Sequence, residues 1–293
     1  MLVEKLKWYT KKIKRYLIKI QKHNQEIDVD RFTLIAPIEH KLESYLNWFK
    51  YYSRNLPRIA GYIEKKYPSY TIIDIGANIG DSVALFRSVG INQQIYAVEG
   101  EPSFYKLLLS NIEQFENVHP FQCFLGEESG DEQMVMKTEE GTSQLLRSET
   151  GGIKMLKLDD FINQNINTEV KLVKIDTDGF DLKIIRGGFE AIARLKPVLF
   201  FEYDSEYLNE HGDDGIKIFE QLAGLGYNQI LYYDNFGKFL IAITTKDSMM
   251  IEQLYCYINK KEGAFHYYDL CVFHQDDDDL ARDVIQKEMA FFK

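Results

Sequence analysis

The sequence predicts an α/β fold: a mostly parallel sheet with helices on both faces, closed by an antiparallel pair. Three observations carry this. From Thr71 onward, short apolar runs alternate with segments of helical period. The first run, TIIDI (71–75), is apolar almost throughout, as in a strand covered on both faces. The stretch NQILYYDNFGKFLIAIT (228–244) reads as a hairpin turning at DNFG.

The elements follow in order. Residues 1–66 read as an N-terminal helical region. Within it, residues 1–22 carry eight Lys/Arg against Glu4, with Leu2, Leu6, Tyr9, Ile13, Tyr16, Leu17 and Ile20 near helical spacing. Two readings stand for this basic amphipathic helix: packing on the body or a partner, and peripheral contact with an anionic membrane surface. Its interleaved charges exclude a signal-peptide core or a spanning segment. Pro57 and Gly61 interrupt the next apolar stripe.

Residues 67–246 form the α/β body. After TIIDI comes a glycine turn, with Asn78 as a candidate cap for the helix behind it. QQIYAVE (93–99) is the second strand, and Pro102 opens the helix EPSFYKLLLSNIEQF. VHPFQCFL (118–125) is the third strand. Residues 126–152 are polar and glycine-rich, a loop or small hairpin. KLDDFINQN is a short helix with Asp159 as its candidate cap, and VKLVKI (170–175) a fourth strand. FDLKIIRGGFEAIARL (180–195) is helical, interrupted at Gly187–Gly188; PVLFFEY (197–203) is the fifth strand. Residues 247–293 read as an extension packed on the core or on a partner subunit. In it, Asp276 to Asp279 form an acidic first helical turn rather than a metal site.

Composition bounds the function. A chain of 293 residues, 45% hydrophobic and 14% aromatic, holds one large domain with additions or two modest ones. A net charge of −10 argues against a nucleic-acid partner. Cys123, Cys256 and Cys271 form neither a metal spacing nor a disulfide framework, so a reducing, cytoplasmic setting is expected, at most peripheral at the inner membrane face. The aromatic-rich tail and N-terminal region could serve as a homo-oligomer interface.

The acids at strand ends point to a site. Asp74, Glu99, Asp176 and Glu202 each end a predicted strand, where open α/β sheets bind ligands. An unpaired buried charge is costly, so four on one rim imply function. The turn reads D-x-G-x-x-x-G at Asp74, Gly76 and Gly80. Asn78 stands where a dinucleotide fingerprint has its second glycine. A ligand with an amino-acid tail and a ribose suits this better. Gly76 permits close main-chain approach, amides at the helix start hold a carboxylate, and Glu99 accepts two ribose hydroxyls. S-adenosylmethionine has those parts.

Ordered blocks then resemble the FkbM-type methyltransferases, a branch of the class I S-adenosylmethionine-dependent enzymes with a Rossmann-like sheet. They are IIDIGANIGDSVALF, IYAVEGEPSFYKLLLSNI, FLGEESG, GTSQL, KLDDFI, LVKIDTDGFDLKIIRGG and PVLFFEY, spanning about residues 70–245. The resemblance implies a cofactor site at Asp74, Gly76, Ala77, Asn78, Gly80, Asp81, Glu99, Gly100, Gly126 and Glu127. It also implies O-methylation of saccharides or secondary metabolites. Two departures stand out: Gly100 where the family commonly has proline, and DTDGFD (176–181) where it commonly reads D-V-E-G-x-E.

For methyl transfer to a sugar or small-molecule hydroxyl, Asp176 is the first candidate base and Asp178 the second. Glu202 and Asp204 would orient the acceptor, and His211 could reach over the pocket. Asp176, Asp178 and Glu202 would be the ligands of any divalent metal, Mg²⁺ or Mn²⁺. Asp176 and Asp178 could instead serve only their own loop. His23, His40, His119, His266 and His274 form no ligand pattern and read as structural. Protein acceptors, a nicotinamide dehydrogenase and a non-catalytic nucleotide- or glycan-binding module are the alternatives.

Overall fold

The computed structural model describes residues 24–139, 142–148, 152–259 and 262–293. The basic segment 1–22 and His23 lie outside the described residues. Asn24–Val29 (β1) and Phe32–Pro37 (β2) pair as an antiparallel hairpin. The expected helical region therefore fails here, because apolar residues alternate at 27, 29, 34 and 36 with the period of a strand. That face is buried against Ile79, Ala84, Leu85 and Phe104. Asn111 fixes it: its side chain accepts from the Ile35 N–H at 2.7 Å and donates to the carbonyls of Ile35 (2.9 Å) and Ile79 (2.8 Å). Helices follow at Leu42–Trp48 (α1) and Asn55–Lys66 (α2).

The body then alternates as predicted: Thr71–Ile75 (β3), Asp81–Ser88 (α3), Gln94–Val98 (β4), Pro102–Ile112 (α4) and Val118–Phe121 (β5). Phe124–Gly126 (β6) and Gly130–Glu132 (β7) precede a hairpin of Met134–Glu139 (β8) and Thr142–Arg147 (β9). Ile153–Lys157 (β10) returns between β6 and β7. Leu158–Asn165 (α5) is not capped by Asp159. That carboxylate instead accepts from the amides of Ala191 (2.7 Å) and Glu190 (3.4 Å), in the first turn of a later helix.

Val170–Ile175 (β11) leads into Asp181–Arg186 (α6) and Phe189–Leu195 (α7). The break falls at Gly187–Gly188, where a Cβ would lie 2.2 Å from the Gly126 carbonyl and 2.6 Å from Leu158 respectively. Val198–Tyr203 (β12) leads into Ser205–Glu210 (α8), an additional short helix that the sequence did not announce; Lys217–Gly224 (α9), Tyr227–Asp234 (β13) and Phe239–Thr244 (β14) then complete the expected order. The last elements are Ser248–Ile258 (α10), Tyr268–His274 (β15) and Asp278–Phe291 (α11).

The central sheet runs β14-β13-β15-β12-β11-β3-β4-β5. Neighbours from β5 to β12 pair in parallel; β15 is antiparallel to both β12 and β13, and β14 to β13. The tail is thus more than an extension on the core, since β15 is inserted inside the sheet. Leu270, Cys271, Val272 and Phe273 are fully buried, as an apolar run needs when both its faces are covered. The acidic run forms a short 3₁₀ turn and then the start of α11, as expected of an acidic helix N-terminus. No helix among the described residues is long and apolar enough to cross a membrane.

Candidate active site

Strand order reverses between β3 and β11, and their carboxyl ends make the crevice. The two ends touch: Asp176 N–H donates to the Ile75 carbonyl at 3.1 Å. A Cβ on Gly76, whose φ is +73°, would fall 1.8 Å from the Asp176 carbonyl, so this position demands glycine. The turn amides are engaged within the fold. Gly76 and Ala77 donate to the Val98 carbonyl at 2.9 and 3.0 Å, and Asn78 donates to Glu99 Oε2 at 2.8 Å. A ligand carboxylate would have to be held by amides beyond these three, nearer the helix start at Asp81. The helix they lead into starts after Gly80, which caps it at φ +90° without a side-chain bond, so Asn78 is not the cap.

Glu99 faces this turn from the end of β4. Its other oxygen accepts from Glu101 N–H at 2.8 Å. Burial pushes its pKa up to about 7 against the pull of those two amides. Glu99 and Gly100 line a small crevice of about 80 Å³ with Phe104, Cys123, Phe124 and Leu125. Gly100 is confined by the Phe124 ring, which would lie 2.3 Å from a Cβ there. Gly126 and Glu127 do not line this crevice. Gly126 packs beside Met155, and Glu127 pairs with Arg186 at 2.8 Å. The chain meets the crevice at residues 123–125, just before them.

Asp74 was expected beside a ligand ammonium. It is fully buried and bound by protein: the Ser82 hydroxyl donates to one oxygen, and the Lys174 ammonium lies 3.1 Å from the other. Asp74 and Lys174 are register partners on β3 and β11, which places the charges side by side. Lys174 also donates to the Gly76 carbonyl (2.9 Å) and stands 3.6 Å from Asp176. Nearby acids raise its pKa in spite of burial, so it remains cationic. Sequence reasoning missed Lys174. The signal was a lysine inside an apolar central strand, which needs a buried acid.

A larger cavity of about 610 Å³ adjoins the crevice, and Gly76, Asn78, Asp176 and Asp178 border both. Asp176, Asp178, Glu202 and Asp204 do come together on its wall, with Asp81 and Asp269. Asp176 is half exposed. Asp178 sits in the left-handed region at φ +49°. Burial, then the carboxylates of Asp176, Asp181, Asp204 and Glu99, push it up to about 8. Burial and the same cluster raise Glu202, and burial raises Asp81. Asp269 faces Glu202 across the β12–β15 register and is pushed up to about 7 by burial, although Asn55 donates to it at 2.8 Å. Asp204 also caps α8 through Glu206 N–H at 2.8 Å. Among the described residues, no group of three or more His, Cys, Asp or Glu is arranged to hold a metal ion.

His211 does not reach over the cavity. It is buried at the end of α8, edge-on to Phe180 at 4.8 Å, beneath the turn at Gly179. His40, read as structural, lines the cavity: Leu42 N–H donates to its Nδ1 (3.2 Å), and its Nε2 meets Asn78 Oδ1 at 3.3 Å. Tyr45, Tyr52, Tyr207, Phe236, His266 and Tyr267 also line it. His266 was read as structural and the others were not singled out from sequence, because long-range folding alone brings them here.

Comparison with known proteins agrees with this architecture. The family model of the methyltransferase FkbM domain matches residues 74–228. No curated protein matches the chain significantly. Among solved structures, methyltransferase FkbM from Methylobacillus flagellatus KT is 16% identical; the match covers 56% of this chain and 40% of that one, with a TM-score of 0.39. The precorrin-6y C5,15-methyltransferase of Geobacter metallireducens GS-15 is 12% identical over 70% of this chain and 79% of that one, with a TM-score of 0.36. TYW2 of M. jannaschii, in complex with AdoMet, is 14% identical over 86% and 87%, with a TM-score of 0.40. The family match spans more than half of the chain and contains both the glycine turn and the acid rim; the chain belongs to the FkbM-type methyltransferase family and has the class I methyltransferase fold.

Proposed function

We propose that the protein is an S-adenosylmethionine-dependent O-methyltransferase acting on a hydroxyl of a sugar or glycan. One observation carries the acceptor class. The cavity that opens from the cofactor turn combines aromatic rings with carboxyl groups. Rings offer flat apolar faces to a pyranose, and carboxyl groups bind hydroxyls in pairs.

The residues present suit the cofactor. Glu99, aimed into the crevice with one lone pair on each oxygen still free, would hold the ribose hydroxyls. Apolar Phe104, Phe124 and Leu125 would flank the adenine. When bound, the cofactor supplies an electrophilic methyl group on its sulfonium. The chain's own task is to place the acceptor oxygen in line with it at the border between the two cavities. Asp176 stands at that border and takes the hydroxyl proton. The Lys174 ammonium, pinned by Asp74, anchors Asp176 from behind. Asp178, pushed up to about 8, keeps its proton at neutral pH and donates to a neighbouring acceptor oxygen; Glu202, raised by burial and the surrounding acids, lies beside it to contact a second.

Calorimetry with S-adenosylhomocysteine, then transfer of labelled methyl to a panel of oligosaccharides, tests this. Binding of the homocysteine product and label on a saccharide are the expected results. No binding by the wild-type protein sinks the methyltransferase reading; label found only on non-saccharide hydroxyls sinks the sugar reading.

A further inference from the structure

Two tyrosines lie outside the segment matched by the family, one before it and one after it. Tyr52 follows α1, and Tyr267 immediately precedes β15. Both line the large cavity. The two phenols feel the same acids, Asp176, Glu202 and Asp269, and Tyr267 feels Tyr52 directly. Burial, reinforced by those carboxylates, raises the pKa of both, so each keeps its proton. Among the described residues neither phenol oxygen has a hydrogen-bond partner; the unpartnered phenols of Tyr232 and Tyr233 are sealed in the core, whereas these two face the cavity. Both residues are only half-buried, so their hydroxyls stay open to the cavity and to the oxygens of a ligand held there. Asn235, in the turn between β13 and β14, lines the same cavity, and its side-chain oxygen is buried without a partner. The nearby Phe236 ring is held by stacking on Phe49 at 4.1 Å.

We propose that Tyr52 and Tyr267 are the specificity-determining residues for the acceptor. Their hydroxyls donate to the oxygens that flank the hydroxyl presented to Asp176. The acceptor they select is a neutral saccharide with adjacent hydroxyls, its ring laid toward Phe236. This rests on the methyltransferase reading. It goes beyond that reading in assigning acceptor choice to residues on either side of the matched segment.

The test uses the full chain as Tyr52→Phe, Tyr267→Phe and the double variant, since phenylalanine keeps the ring packing. The probes are the saccharide found by label transfer and its analogue deoxygenated beside the methylated position. The wild type is expected to prefer the intact saccharide by about tenfold or more in kcat/KM. Each variant should lose most of that preference through KM, with unchanged affinity for S-adenosylhomocysteine. Undiminished discrimination in the double variant overturns the proposal and leaves the methyltransferase reading standing. Equal loss of S-adenosylhomocysteine affinity also overturns it, because the tyrosines would then serve the cofactor side. If the labelled acceptor is not a saccharide but the variants still weaken its KM, the saccharide class falls and the tyrosine assignment stands.

Discussion

The small crevice and the large cavity share one border but differ in origin. Every residue lining the crevice lies between Ile75 and Ile184, inside the family-matched segment. Half of those lining the cavity lie outside that segment, from His40 to Ser53 and from Asn235 to Asp269. The crevice is built at the ends of β3, β4 and β11, with residues 123–125 and the β9 strand closing it. The cavity is completed by residues 40–53 around α1, by the β13–β14 turn and by the start of the late strand inserted between β12 and β13. On the functions proposed above, the cofactor would sit within the matched segment, and the acceptor in a cavity lined half from outside it.

The sharpest way to break this division is at the border itself. Asp176→Asn should lower kcat by about 10²- to 10⁴-fold, the range for a lost general base, while S-adenosylhomocysteine binds as before. Full activity in that variant would remove Asp176 from the mechanism. The outer walls depend on a buried tie: Glu288, fully buried on α11, accepts from Arg58 of α2 at 2.7 and 2.8 Å and from Tyr62 at 3.1 Å. Arg58→Met strands that carboxylate and should cost about 3–5 kcal/mol in urea unfolding. An unmoved midpoint would mean that the tail is not held by this pair.

On the crevice side, Glu99→Gln should weaken S-adenosylhomocysteine by about tenfold to a hundredfold in calorimetry, as for hydrogen bonds to a charged group. Discrimination between acceptor and deoxy analogue should survive it; loss of both together would erase the division. The smallest effect concerns pH. Asp181, buried at the start of α6 and outside both linings, has its pKa raised to about 7, first by burial and then by Asp176. The native state then binds more protons than the unfolded chain between about pH 4 and pH 7. Stability from this group falls as pH rises through that window and levels off above it. Asp181→Asn should flatten that part of a melting-temperature profile, and an unchanged slope would assign it to other acids.

Much of the crevice was legible. Gly76 and Glu99 could be placed because β-strand ends and their turns are local features, with spacing that survives folding. Legibility failed where role depends on what stands opposite. Asp74 looked like a ligand residue until its register partner on β11 proved to be Lys174. His211 looked available until α8 carried it beneath Gly179. His40 looked inert because nothing in its neighbourhood in sequence announces Asn78, 38 positions away.

By itself the sequence determined the alternating α/β order, the glycine turn and the acids at the strand ends. Those are set by periodicity, backbone sterics and the cost of burying charge, all readable within a few residues. Tertiary structure alone decided that residues 24–37 are strands over the cofactor helices, that 268–274 is a central strand, and that tyrosines 215 positions apart in the chain face one set of acids. Those outcomes depend on long-range pairing and shared burial, and no local window of the chain contains both partners.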